Sequence, residues 1–492
     1  MLVGICSLSI RIDLESATQT VELLTPPAGR SFSELISPPY GLPVTGHLVA
    51  RSPADFRNLI PRHYLLGVYR VAQFAYMPVQ AAQHGVSFIR RQSRDWRVTV
   101  ARTSLDRLVY QMVFPYLSIY IVALGATATQ LGAINSAGMV AAAILGPSTG
   151  WLIDRFGAKR IYLAGIGMLA VCYLTYAIAQ NWLMALVAMV AYWLGYSTSI
   201  LGCATVCGNC LATRDRATGM MICETVAAGL LGMAGPLIGA WLVAGSGGVD
   251  VSGIRPLFVV ATVATLGTFA LVLTQLSDHR WVNVRATPKG MFRDLHQVLK
   301  EGQHLKRWLV VTSIGQLPLA MVFPFAQVYA YTVKGADEYV LGAMVAGCAV
   351  TSIIFAIPLG RLADRSGRKT VLYMAMPLFW FSNLVLVLAP NSAFVIIAGV
   401  LQGFFYISNP IAAAMERELV PADQMGRWLG ITRFFRMFLS ALVAIVAGVV
   451  WDGFGPQYVF LGFVAIDILV RLPLLVGMPE TLRSRVAGDA HA

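Results

Sequence analysis

From Leu105 onward the sequence is divided into twelve apolar runs, at approximately 106–125, 130–152, 160–179, 182–210, 217–245, 255–276, 307–333, 338–362, 370–389, 392–415, 425–450 and 456–478. A bilayer core takes roughly 20 apolar residues per spanning helix, so each run is long enough to cross one. Hydrocarbon supplies no partners for backbone N–H and C=O groups, which restricts spanning segments to helices or a closed barrel. The runs lack the two-residue alternation of barrel strands. The expectation is an all-α membrane protein with twelve transmembrane helices. Composition agrees: 57% of residues are hydrophobic, only 12% are charged, and the mean hydropathy is +0.67, whereas soluble domains carry about 25% charged residues.

The formal net charge of +13 raises the question of a polyanionic partner, but the placement of the basic residues answers it. Eighteen lysines and arginines fall in the short loops between runs 2 and 3, 4 and 5, 6 and 7, 8 and 9, and 10 and 11. The loops on the other side hold Arg255 and Lys334. By the positive-inside rule both termini are cytoplasmic, the bilayer is the partner that this charge serves, and nucleic acid is excluded. Of seven cysteines, Cys203, Cys207, Cys210 and Cys223 lie near the cytoplasmic ends of runs 4 and 5, so no extracellular disulfide is expected. Cys203, Cys207 and Cys210 share a helix face, a spacing open to a thiolate metal site but also ordinary for small residues at a packing seam. The latter reading is preferred, and no metal or cofactor is expected.

Residues 1–100 read as a cytoplasmic extension. Pro26, Pro27, Pro38 and Pro39 interrupt it, and no basic segment precedes its short apolar start, so a signal peptide is not expected. From Phe56 to Trp96, aromatic and aliphatic residues alternate with Arg57, Arg62, Arg70, Arg90, Arg91 and Arg94. That mixture suits either a segment lying on anionic headgroups or a poorly ordered tail.

An internal repeat organises the rest. "MVFPYLSIY" at Met112–Tyr120 returns as "MVFPFAQVY" at Met321–Tyr329; Asn181 and Tyr196 return as Asn391 and Tyr406; "GWLIDRFGAKR" at Gly150–Arg160 returns as "GRLADRSGRKT" at Gly360–Thr370. The offset is 209, then 210 after one insertion. A constant register over several helices implies two six-helix bundles of common design, 101–277 and 307–480, joined by a cytoplasmic loop at 278–306 and followed by a tail at 481–492. In the repeated loop, Gly150 and Gly360 remove side chains where another helix is to approach. Asp154 and Asp364 stand where the positive N-termini of runs 11 and 5 emerge, so each carboxylate is expected to latch its own bundle to the other. Arg155, Lys159, Arg160, Arg365, Arg368 and Lys369 add bonds to the latch.

This double motif resembles the loop signature of the major facilitator superfamily of secondary transporters, matched at Gly150, Leu152, Asp154, Arg155, Gly157 and Lys159 and again at Gly360, Leu362, Asp364, Arg365, Gly367 and Lys369. The resemblance implies two pseudo-symmetric bundles around a central cavity, alternating access, and no chemical conversion of a substrate. It places runs 1, 4, 7 and 10 at the cavity. Polar residues at helical spacing offer candidates there: Gln111, Tyr116 and Tyr120; Tyr192, Tyr196 and Ser199; Gln316, Gln327 and Tyr329; Gln402, Tyr406 and Asn409. Such a lining suits a neutral or amphipathic small molecule; helix cross-linking is the alternative role for the tyrosines.

Ionisable residues at membrane depth mark function by default. Glu224, Arg433 and Arg436 are expected to meet across the bundles as a proton-coupling group, since burial favours a neutral carboxyl and an approaching arginine favours the ionised one. Asp467 and Arg471 read as a self-neutralising pair on a peripheral helix. In run 5, "GLLGMAGPLIGA" is similar to the glycine–proline pattern of proton-coupled exporters at Gly235, Pro236 and Gly239, although Ala240 replaces a glycine. The C-terminal "PET", Pro479–Thr481, is similar to sugar transporters, whose central-loop motif is missing. The expectation is a monomeric transporter that exports a small amphipathic molecule in exchange for protons. An importer or uniporter of a metabolite, or a non-transporting receptor of this fold, is the alternative. No catalytic constellation points to an enzyme.

Overall fold

The computed structural model describes Phe88 and residues 91–211, 227–277, 304–420 and 425–481; for 146–151, 154, 204–205, 207–209, 227–231 and 426–427 it describes the backbone alone. These residues are helical with short connections, and among them there is no strand. The first six helices are α1 (Arg94–Ala123), α2 (Ala128–Phe156), α3 (Ala158–Ile178), α4 (Trp182–Cys210), α5 (Ala227–Gly245) and α6 (Val251–Gln275). The second six begin with α7, which runs in three pieces (Leu305–Gly315, Pro318–Met321 and Phe323–Thr332), followed by α8 (Glu338–Ser366), α9 (Arg368–Leu388), α10 (Ser392–Leu419) and α11 (Met425–Gly453). Helix α12 starts at Gln457, passes through a π-turn at Asp467–Arg471 and ends at Val476.

Ten of the twelve carry a long apolar window sufficient to cross a membrane, and α5 adds the shorter stretch Gly232–Gly245. Helix α1 begins at Arg94, twelve residues before the apolar run at 106. The run stops where charges begin, but the helix continues because Arg102 and Asp106 pair one turn apart at 3.3 Å and Arg102 lies 5.2 Å over the Tyr162 ring of α3. Trp96 in this early turn is fully buried and meets Phe88 edge-on at 5.8 Å. It therefore packs on the bundle and does not lie at a headgroup surface. Residues 1–87, 89 and 90, which include Arg57, Arg62, Arg70 and Arg90 of the expected headgroup segment, fall outside the described structure.

Sequence-level punctuation accounts for the helix ends. Asn181 and Asn391, repeat mates, accept backbone N–H bonds as N-caps of α4 and α10. The C-termini of α3 and α9 receive the only two basic residues of the sparse loops: Arg255 Nη2 donates to Ala179 O at 2.6 Å, and Lys334 Nζ donates to Val387 O at 2.7 Å and to Ala389 O at 3.1 Å. Cations belong at helix C-termini, where unpaired carbonyls and the helix dipole meet. Pro318 and Pro324 lack the N–H that a continuous α7 would need, and the chain instead makes tight i→i+3 bonds at Gln316, Leu317 and Leu319.

Within the first bundle α1 packs on α5 and α6, α4 on α2 and α3, and α3 on α6; within the second, α10 packs on α8 and α9, and α9 on α12. The most extensive crossings between bundles are α2 with α11 and α5 with α8; α1 also meets α7 and α8, and α2 meets the middle piece of α7. Glycines bring the crossing helices together. A Cβ on Gly448 of α11 would fall 2.6 Å from Thr129 Cα of α2, and one on Gly342 of α8 would fall 2.8 Å from Pro236 O of α5. Bonds accompany them: Thr129 N and Oγ1 donate to Asp452 at 2.8 and 2.7 Å, Tyr116 Oη donates to Glu338 O at 2.8 Å, and Tyr331 Oη donates to Val249 O at 2.9 Å. All lie on the face opposite the basic loops. On the basic face no hydrogen bond joins the bundles among the described residues.

Candidate functional site

The repeated loop sits on the basic face. Gly157 and Gly367 link α2 to α3 and α8 to α9 with φ of +90° and +112°, a conformation that a side chain disfavours. The motif lysines then act alike in both bundles. Lys159 Nζ donates to Leu276 O at 2.6 Å after α6; Lys369 Nζ donates to Met478 O at 2.6 Å and Val476 O at 3.1 Å after α12. Each lysine thus ties its loop to the last helix of its own bundle. In the second bundle Glu480 of the "PET" segment accepts from the N–H groups of Arg368 and Lys369 at 2.9 and 3.1 Å, capping α9.

Asp364 pairs with Arg368 one turn on, and its side chain is 64% exposed. It reaches no residue of the first bundle among those described. A Cβ at Gly360 would meet nothing within 4 Å. The latch expected from sequence is therefore not engaged at Asp364 in this conformation; the side chains of Gly150 and Asp154 fall outside the described structure. Arg155 is exposed, its guanidinium 5.4 Å over Phe156, and Arg365 is exposed.

The cavity candidates divide by burial. Tyr192 stacks on Tyr196 at 5.9 Å and on Tyr110 of α1 at 6.1 Å. Tyr406 of α10 is 39% exposed, lies 5.5 Å from Phe323, and is within electrostatic reach of Arg107, Tyr110 and Tyr196 across the bundle boundary. Tyr110, Tyr192 and Tyr196 form an aromatic stack at the face of the first bundle, and Tyr406 stands with Phe323 and Phe405 in the second. Gln316 and Asn409 are also brought together, at 3.0 Å.

Other candidates do structural work. Tyr120 Oη donates to Tyr176 O at 2.8 Å, and its repeat mate Tyr329 donates to Val387 O at 3.4 Å, so both bind the end of a neighbouring helix. Tyr116 is fully buried in the interbundle bond to Glu338. Gln111 lies against α5, 3.7 Å from a Cβ built on Gly232. Ser199, Gln327 and Gln402 are 2%, 1% and 2% exposed, each with a buried polar atom that has no partner among the described residues. The span-5 glycines have a packing role: Cβ atoms at Gly235 and Gly239 would fall 2.8 Å from Leu108 O and 2.5 Å from Met112 O of α1.

The ionisable groups need two corrections. Arg436, assigned to Glu224, is bound instead to Glu416 of α10, its Nη2 donating to the two carboxylate oxygens at 3.0 and 3.1 Å; Glu224 itself lies outside the described residues. Asp467 and Arg471 do pair, at 3.2 Å, but they are 1% and 9% exposed and line a cavity inside the second bundle, because the π-turn points them inward. Glu416 was missed because its apolar run ends at 415, although it continues the heptad stripe Gln402, Asn409, Glu416.

Two repeated helical bundles, crossed tightly on one face and enclosing buried charge at membrane depth, define a multi-pass membrane transporter. The chain belongs to the Major Facilitator Superfamily, whose sequence profile matches residues 103–335 and 308–489. It is 26% identical over 279 residues to multidrug resistance protein MdtG of Serratia proteamaculans (strain 568), an alignment covering 54% of this chain and 65% of that one. It is 31% identical over 105 residues to the inner membrane transport protein YajR of Escherichia coli (strain K12), covering 21% and 22%. The chain thus spans a little under two thirds, or less, of these two curated relatives. Among solved structures, the fold is shared with the nucleoside transporter NupG (TM-score 0.61, 14% identity, 78% of this chain and 99% of that one). It is also shared with a D-xylose–proton symporter (TM-score 0.62, 14% identity, 78% and 98%).

Proposed function

We propose that the protein is an inner-membrane exporter working by alternating access, which expels small amphipathic molecules in exchange for protons with both termini cytoplasmic. The observation that carries this reading is the aromatic lining on the cavity helices, Tyr110, Tyr192 and Tyr196 in the first bundle and Phe323, Phe405 and Tyr406 in the second. With the basic loops cytoplasmic, the bonds described between the bundles lie on the opposite face, which fits entry of a molecule from the cytoplasm. Aromatic faces suit amphipathic ligands of varied shape, and the resemblance to multidrug resistance proteins supports export. When the bundles rock, Asp154 and Asp364 are proposed to take up the helix N-termini of the opposite bundle and close the cytoplasmic face. The unit is proposed to act as a monomer.

The test is flux in proteoliposomes holding the purified protein, with ethidium as the first probe and a panel of amphipathic dyes beside it. Efflux that accelerates when protons are more concentrated on the receiving side is the expected result. Accumulation that ignores the pH gradient would exclude exchange and favour a uniporter.

A further inference from the structure

Helices α1 and α4 run antiparallel with one stripe of each facing the other. On α1 the stripe is Thr103, Arg107 and Tyr110; on α4 it is Tyr192, Tyr196, Ser199 and Cys203. Both follow the three-and-four spacing of a single helix face. Thr103 Oγ1 lies 3.5 Å from Cys203 Sγ at the end toward the basic loops, and the rings of Tyr110 and Tyr192 stack at 6.1 Å further along α1. The paired stripes are therefore polar at one end and aromatic at the other.

At the polar end the two helices leave a pocket of about 40 Å³, lined among others by Arg102, Asp106, Arg107, Tyr196 and Ser199. A void takes about 10–15 Å³ to hold one water, so this one admits roughly the bulk of a carboxylate and not a whole amphiphile. Arg102 is paired with Asp106 at 3.3 Å, which cancels both charges. Arg107 is half-buried and forms no ion pair among the described residues, so the pocket keeps one positive charge. Arg102 and Ser199 are 3% and 2% exposed, yet Arg102 Nε and the Ser199 hydroxyl have no hydrogen-bond partner among the described residues. Buried polar groups are paired in folded proteins, and a group bringing acceptor oxygens and one negative charge completes this pocket.

The repeat sharpens the point. At the offsets of 209 and 210, Arg107 and Ser199 correspond to Gln316 and Asn409, which hydrogen-bond to each other at 3.0 Å. The second bundle closes these positions with a neutral pair; the first leaves a cation and a hydroxyl open. Next to that opening, Tyr196 of the pocket wall stacks on Tyr192 at 5.9 Å, and the ring track continues to Tyr110. All three rings are partly exposed, and aromatic faces suit a flat apolar body.

We infer that this strip recognises amphipathic acids: a carboxylate sits in the pocket against Arg107 and Ser199, and the aromatic body of the same molecule lies along Tyr196, Tyr192 and Tyr110. The inference rests on the exporter reading above and names the charge of its cargo. A cationic head would meet Arg107 without a counter-charge, since Asp106 is already held by Arg102. A neutral head fits the rings but leaves Arg107 unpaired.

The experiment is calorimetric titration of the full-length protein in lipid nanodiscs, against empty nanodiscs, with 1-naphthoate, neutral 1-naphthamide and cationic 1-naphthylmethylammonium. The expected result is that the acid binds about tenfold or more tighter than the amide, that the cation binds most weakly, and that acetate does not displace the acid. Arg107→Gln with Ser199→Asn, which copies the pair of the second bundle, should abolish the advantage of the acid while leaving amide affinity in place, a sign that the protein is folded. Tyr192→Ala should weaken acid and amide alike. Where the double variant does not fold, acid against amide on the wild-type chain decides the matter. Equal binding of acid and amide, preference for the cation, displacement by acetate at equal concentration, or an acid preference that survives the double variant overturns the proposal. Selective binding of the acid by a protein that carries no probe across a bilayer would support the site while refuting the exporter reading.

Discussion

In the first bundle, α4 closes its basic end with Val206, which is fully buried. One repeat later, 210 residues on, the same helix position on α10 is Glu416, buried to 4% exposure and bound to Arg436. The buried polar residues of α6 are threonines, Thr262, Thr265 and Thr268, whereas α12 carries Asp467 and Arg471. The bundles therefore share their caps and their loop motif, but they place buried charge differently: the first pairs Arg102 with Asp106 along α1, whereas the second joins α10 to α11 and closes α12 on itself around a larger cavity. Duplicated architecture preserves what helices need in order to form and pack; it leaves each interior free to specialise. Here the first bundle carries the Tyr110–Tyr192–Tyr196 stack, and the second carries the ion pairs that line the larger cavity.

The largest expected effect comes from erasing that difference. Glu416→Val leaves the Arg436 charge without its partner, which costs about 3–5 kcal/mol, whereas Glu416→Val with Arg436→Met should recover most of that loss. Val206→Glu, which places an unpaired carboxylate in the first bundle, should be comparably damaging. Denaturant unfolding of the four proteins checks this, and a single Glu416→Val variant within about 1 kcal/mol of wild type would show that the pair does not hold the second bundle together.

Next in size are the interbundle glycines. Gly132 lies against the Ala444 backbone of α11, so Gly132→Leu is expected to disfavour this conformer by about 1–3 kcal/mol. Gly360→Leu, whose side chain enters open space, should leave it intact and block the other conformer instead. Cross-linking of Thr129→Cys to Asp452→Cys, sites joined by a 2.7 Å bond, should fall in the first variant and rise in the second.

The loop glycines sharpen the comparison further. Gly157→Ala and Gly367→Ala each place a side chain at positive φ, for about 1–3 kcal/mol. The loss should be greater at Gly367, where a Cβ falls 2.7 Å from Glu480 Oε2, and thermal unfolding of these variants in a Glu480→Ala background should bring the two values together. The smallest effect concerns pH. The N–H of Gly253 and the Ser252 hydroxyl hold the Asp250 carboxyl below its usual range, so its capping of α6 is present at neutral pH and is lost as the pH falls through the lowered value. Hydrogen-exchange protection in the first turn of α6, corrected for the intrinsic pH dependence of exchange, should fall once the pH drops below the ordinary carboxylate range, while α12, whose N-cap Pro456 offers no side-chain bond, should not respond.

Much of this was legible in the chain itself. Apolar length, a repeat of constant offset, asparagine caps and basic loops are local signals with direct physical meaning, and they specify twelve helices in two bundles without any knowledge of contacts. The polar stripes were less reliable guides. Tyr116, Tyr120 and Tyr329 occupy cavity helices, but a phenol can satisfy a helix-end carbonyl as readily as it can meet a ligand. Asp467 and Arg471 looked peripheral because helical periodicity assumes an uninterrupted helix, and the π-turn rotates them inward. Glu416 fell one residue beyond an apolar run, although its helix continues to Leu419.

What the sequence determined by itself is the set of helices, their pairing by repeat, and the groups that terminate them, because each of these depends on interactions within a few residues or on the bilayer. What only the tertiary structure decided is which carboxylate Arg436 holds, which glycines are in contact and which face is joined. Those depend on the distance between residues far apart in the chain, and burial turns that distance into either a paired charge or an expensive lone one.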